Sequence, residues 1–193
     1  LSLWLVPAAE QLQPIRSVLP KRHDSLSSYP AIIPHITLAS TPRQSKLTPE
    51  MLLHAIPPNQ QAVRANFQSL VVSDHYFRSV LVAVHLTLDL EALRTAIMTA
   101  LGDSVPHSPM FPHMSLCYIL DEDAAERDRV AGTLRDTGVV SESGGKEGQT
   151  MLLRCGDVSL SGFDGEEIWV VNCEGPVEEW RVLIKTQLTR TTR

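Results

Sequence analysis

Pro34-His35-Ile36-Thr37-Leu38 recurs as Pro112-His113-Met114-Ser115-Leu116, so the chain carries one five-residue setting twice. On an extended strand alternate side chains face opposite ways. His35 and Thr37 therefore share one face while Ile36 and Leu38 enter a core, and His113 and Ser115 stand over Met114 and Leu116 in the same manner. Each outward face sets an imidazole beside a hydroxyl. That combination suits phosphate, because the hydroxyl donates to a non-bridging oxygen while the imidazole exchanges a proton at a reacting oxygen. Two such faces opposed across a cleft act on both sides of phosphorus, as in-line displacement requires.

Working outward, Leu1–Val6 reads as a strand, and Ala8–Leu19 has helical spacing that Pro14 allows to become regular only from that residue. Ala31–Ser40 alternates as a strand that includes His35. Thr48-Pro49-Glu50 is a capped helix start for Glu50–Ala55. Val63–Ser73 and Arg78–Thr87 form a hairpin across Asp74-His75. Asp89 caps a helix to Leu101, and Phe111–Leu120 is the strand of the second motif. A charged helix covers Glu122–Asp136, Ser141–Thr150 is a polar, mobile loop, Met151–Leu160 and Glu167–Cys173 are a final strand pair, and Pro176 opens a last helix to Leu188. About seven strands and five helices, with strands adjacent in sequence, give an α+β fold with antiparallel sheets. No linker divides the 193 residues, so residues 1–193 are expected to form one domain, and two lobes sharing a cleft are compatible with this order of elements.

The formal net charge is −5, with no basic stripe. Proteins that track long polynucleotides concentrate positive charge along a groove; a small anionic ligand is expected instead, and no long nucleic acid. No apolar run is long enough to span a bilayer, and LSLWLV at residues 1–6 lacks the basic flank of a signal peptide. Cys117, Cys155 and Cys173 have no metal-type spacing and fit reduced thiols in an intracellular, cytoplasmic protein.

The pattern His-x-Ser/Thr-Leu is weak alone, since His23-Asp24-Ser25-Leu26 and His85-Leu86-Thr87-Leu88 also fit it. His23 lies in a loop-like region with a charged residue inside the motif. His85 alternates properly but lacks the preceding proline. His35 and His113 are therefore the expected pair.

PHITLAS (residues 34–40) and FPHMSLCY (residues 111–118) resemble the two signature motifs of the 2H phosphoesterase superfamily. SLWLVP near the N-terminus, HYFRSVLVAV between the motifs and the tryptophan-containing end are similar to fungal 2′,3′-cyclic-nucleotide 3′-phosphodiesterases. The resemblance covers most of the chain. It implies a bilobal α+β fold of two pseudo-symmetric lobes, with antiparallel sheets flanked by helices and the site in the central cleft. It also implies metal-independent hydrolysis of 2′,3′-cyclic nucleotides to 2′-phosphates, and of ADP-ribose 1″,2″-cyclic phosphate from tRNA splicing. His35 and His113 become the catalytic pair, with Thr37 and Ser115 holding phosphate; His113 is assigned as base and His35 as acid, an order that the sequence leaves open. Tyr118 matches a tyrosine that relatives place near the phosphate, although a regular strand would turn it away from His113, so a bulge or strand end is required.

No cofactor and no metal ligand set are expected, since no histidine or cysteine spacing suits zinc. The substrate is expected to be a small cyclic nucleotide and the protein a monomer; Golgi association, as for fungal relatives, is the alternative location. An RNA-end-processing enzyme and a non-catalytic nucleotide-binding module are the rival functions. Tyr76 and Phe77 either stack on a base or pack on neighbouring strands. Trp4, Trp169 and Trp180 are expected in the core, Arg43 in a solvated loop, and Cys117 has no partner for a nucleophilic role.

Overall fold

A computed structural model of the chain describes residues 1–21, 28–106, 110–145 and 148–190. Among them run β1 (Ser2–Pro7), α1 (Ala9–Ser17), β2 (Ile36–Ser40), α2 (Pro49–His54), β3 (Val63–Val72), β4 (Val80–Val84), α3 (Leu88–Leu101), β5 (His113–Cys117), α4 (Ala125–Asp136), β6 (Val140–Ser143), β7 (Thr150–Cys155), β8 (Val158–Leu160), β9 (Gly162–Asn172) and β10 (Arg181–Gln187). The class is mixed helix and strand with antiparallel pairing, as the sequence implied. The strands follow the order β1-β2-β5-β4-β3-β9, and β9 pairs back onto β1, which closes a six-stranded barrel-like sheet. β10 lies beside the C-terminal half of β9, and β6-β7-β8 form a separate small sheet. This strand order does not by itself display two symmetric lobes.

The closed sheet has one thin seam. β2 and β5, the two motif strands, share only the pair Ile36–Met114. Elsewhere the ring is well zipped, for example by six register pairs between β1 and β9. Ile36, Leu38, Met114 and Leu116 are all buried in the main core, which also takes Leu90, Leu93, Ile97 and Leu101 from one face of α3. Each such side chain contributes roughly 1.5–3 kcal/mol by leaving water, so the apolar halves of both motifs anchor their strands.

Local chemistry explains where the elements begin. Thr48 accepts from the Met51 amide and Pro49 occupies the first helical turn of α2, as expected. α3 is capped not by Asp89 but by Thr87, whose hydroxyl accepts from the Leu90 amide at 3.4 Å. α1 starts at Ala9, ahead of Pro14, and carries that proline inside it.

Several expectations are corrected. β2 begins at Ile36, so His35 stands just before the strand, and the hairpin connection is longer than Asp74-His75, containing a 3₁₀ turn at Tyr76–Arg78. Ser141–Ser143 belong to β6 rather than a loop. β9 does not pair with the strand before it but fills the gap between β3 and β1. The expected last helix is a 3₁₀ turn at Val177–Glu179 followed by β10, whose residues alternate exposed and half-buried. Val182, Ile184 and Thr186 are β-branched with a period of two, and that pattern outweighed the helical reading. No helix among the described residues is long and apolar enough to cross a membrane.

Candidate active site

The two motif strands carry the same irregularity at the same place. Against β1, Trp4 pairs with Thr37 and Leu3 with Ala39, which leaves Leu38 as an extra residue in β2. Against β4, Leu81 pairs with Ser115 and Val80 with Cys117, which leaves Leu116 extra in β5. A bulge bends its strand and re-aims the residues beyond it. Both bulges fall on the leucine that follows the hydroxyl residue.

These strands lead His35, Thr37, His113 and Ser115 to one cavity of about 380 Å³, within the range of small-ligand sites. The His35 Nδ1 lies 2.6 Å from the Ile33 carbonyl, and the His113 Nδ1 lies 2.8 Å from the Met110 carbonyl. A carbonyl only accepts, so Nδ1 carries the proton in both rings and Nε2 is the atom left for chemistry. His35 is 9 % exposed and stacks on Trp4, with ring centroids 3.7 Å apart and planes within 10°. Trp4 is held in turn by its indole N–H donating to Ser2 Oγ at 3.0 Å.

Burial pushes His35 down to about 4, against the opposing pull of the Ile33 carbonyl and with a further lowering by His113. His113 is half-buried and also held below the usual histidine range, first by burial and then by the positive Arg78, while the Met110 carbonyl opposes. Both rings are therefore neutral near pH 7.

The two hydroxyls differ. Ser115 donates to the Phe77 carbonyl at 2.8 Å, whereas Thr37 lines the cavity and its hydroxyl makes no hydrogen bond to any described residue. Tyr118 lines the same cavity, beyond the end of β5 and after the bulge at Leu116, so the irregularity its position demanded is present. It is 3 % exposed, and burial raises its hydroxyl well above the usual tyrosine range.

Of the third wall, sequence reasoning named Phe77 as a stacking candidate and missed His75 and Arg78. The turn Tyr76–Arg78 brings His75, Phe77 and Arg78 to the cavity, and Trp180 comes from the segment before β10. Phe77 meets Tyr118 edge-on at 5.4 Å and lies tilted against Trp180 at 5.7 Å. The only hint in the sequence was a polar and aromatic HYFR between two apolar strands. Among the described lining residues there are three histidines and Arg78 but no aspartate or glutamate, in a chain of net charge −5. The cavity is thus suited to an anion.

The other sequence candidates fall elsewhere. His23 lies outside the described residues. The His85 ring contacts the Gln149 carbonyl at 2.8 Å while Thr87 caps α3, so that motif is spent on structure. Cys117 is buried in the main core with its thiol pushed up to about 12 by desolvation, and Arg43 does not line the cavity. Trp169 packs in a core cluster as expected, while Trp4 and Trp180 also border the cavity. The three cysteines are not joined to one another.

A family model described as "Cyclic phosphodiesterase-like protein" matches residues 1–188. No curated protein matches the chain.

Proposed function

Because this chain belongs to the cyclic phosphodiesterase-like family, we propose that it hydrolyses 2′,3′-cyclic nucleotides to nucleoside 2′-phosphates without a metal, with ADP-ribose 1″,2″-cyclic phosphate from tRNA splicing as a second substrate. The observation that carries this reading is the matched pair of histidines. Each is tied through Nδ1 to a backbone carbonyl and keeps Nε2 for one anion-suited cavity. Among the described residues no group of three or more His, Cys, Asp or Glu converges as a metal site needs.

In this mechanism one neutral imidazole takes a proton from water as the water oxygen bonds to phosphorus. The other, protonated, gives its proton to O3′ as the P–O3′ bond breaks. The pair ends with the two protonation states exchanged, and solvent resets it. The deeper burial of His35 favours it as the base, because it stays neutral down to about pH 4. His113, less buried, takes the acid role once a bound phosphate anion stabilises its charged form. This is the reverse of the order assigned above from the sequence. Thr37 donates to a non-bridging oxygen, Ser115 does so by turning its proton away from the Phe77 carbonyl, and Tyr118 closes that side of the cavity.

Incubation with 2′,3′-cyclic AMP in chelator, followed by phosphorus NMR, tests the proposal. Formation of 2′-AMP is the expected result. No reaction overturns it, and 3′-AMP overturns the direction of ring opening.

A further inference from the structure

We infer that His75 is a third phosphate-directed histidine, donating from Nε2 to a phosphoryl oxygen on the 5′ side of the nucleoside; this rests on the cyclic-phosphate reading above. His75 lines the same cavity as His35 and His113 but is exposed, whereas they are sunk into it. Its hydrogen bonding is also the reverse of theirs. The Phe77 amide donates to His75 Nδ1 at 3.2 Å, and a ring nitrogen that accepts from an amide carries no proton. In the neutral ring the proton is therefore on Nε2, while the other two rings hold theirs on Nδ1. The cavity thus has two inner rings that accept at Nε2 and one outer ring that donates there.

A fixed donor at the rim needs an acceptor. Arg78, on the same turn, adds positive charge to this wall, and no carboxylate lines the cavity among the described residues. An anionic acceptor is favoured accordingly. The ring phosphate is already served by the inner histidines and hydroxyls, so the rim donor meets an oxygen elsewhere on the ligand. In a nucleoside whose 2′ and 3′ oxygens are in the ring, phosphoryl oxygens remain only on the 5′ side. They belong either to a free 5′-phosphate or to the diester of a preceding nucleotide.

The His75 side chain also caps its turn. His75→Ser keeps a capping acceptor, since serine serves that position well, and removes the reaching donor. Calorimetric binding to adenosine 2′-phosphate, adenosine 2′,5′-bisphosphate and a diadenylate ending in a 2′-phosphate is the test. The wild-type protein is expected to prefer the bisphosphate over the monophosphate about tenfold, the worth of one hydrogen bond to a charged group. His75→Ser is expected to reduce that preference below about twofold while monophosphate affinity stays within about twofold. Equal gain by the diadenylate supports the diester as a source as well, and gain by the bisphosphate alone restricts the contact to a free 5′-phosphate. Retention of the preference in His75→Ser, or equal weakening of every ligand, overturns the inference. Wild-type protein that hydrolyses 2′,3′-cyclic AMP yet shows no preference leaves the parent reading standing and removes this one; failure to bind any of the three removes both.

Discussion

Ile36 and Met114 pair with each other across the β2–β5 seam, and each is the residue between the histidine and the hydroxyl of its own motif. An antiparallel pair of equivalent residues places a local two-fold axis between them. Leu38 and Leu116 bulge at equivalent places on either side. The two short strands are thus related by the same operation that would relate the two ends of an in-line displacement.

Unequal burial of the two histidines separates roles that this relation leaves equivalent. His35→Ala and His113→Ala should each lower kcat on 2′,3′-cyclic AMP by about 10²–10⁴, the usual worth of a general acid or base. A substrate with sulfur at the 3′ bridging position leaves as a thiolate and needs no proton. His113→Ala should regain most of its lost rate on that substrate and His35→Ala should not. Rescue of His35→Ala instead would return His35 to the acid role.

The hydroxyls should split stability from activity. Thr37→Val keeps the shape of a side chain without a described partner, so its unfolding free energy should stay within about 0.5 kcal/mol while kcat/KM falls. Ser115→Ala strands the Phe77 carbonyl and should cost about 1 kcal/mol as well as activity. Urea unfolding beside steady-state kinetics reads both. An equal stability loss in the two variants contradicts the assignment.

The buried imidazoles make the protein acid-sensitive. His35 titrates near 4 when folded and near 6.5 when unfolded, so the unfolded chain binds the extra proton between those values. Stability is therefore full above pH 6.5 and lost as pH falls toward 4, by up to about 3 kcal/mol from this group. His113, also lowered, adds in the same direction. His35→Gln should show a visibly shallower loss between pH 7 and pH 4.5 in denaturant melts; an unchanged slope would place the acid sensitivity in other groups.

Gly162 marks where β9 passes closest to β3. A Cβ there would lie 2.0 Å from the Ala65 carbonyl oxygen and 2.9 Å from the Asn66 Cα, and backbone on both sides leaves little to yield. Gly162→Ala should cost more than about 2 kcal/mol, seen as a lowered Tm. Unchanged stability would mean that the β3–β9 register relaxes freely.

The sequence by itself determined which side chains the two repeated motifs offer and which way they face over a few positions. The alternation of His35 with Ile36 and Thr37 with Leu38, and its echo at His113–Leu116, is local and needs only the two-residue period of an extended chain. Thr48 as a helix cap was legible for the same reason. The bulges were not, because an extra residue at Leu38 or Leu116 exists only relative to β1 or β4, strands distant in sequence. Nor was the wall built by His75, Phe77 and Arg78, whose approach depends on the β3–β4 hairpin lying beside β5. Even the protons on the three imidazoles follow from backbone neighbours, Ile33 and Met110 accepting and Phe77 donating. The sequence supplied the imidazoles, and only tertiary structure decided which nitrogen of each is free to act, because that choice is made by what folds against the other one.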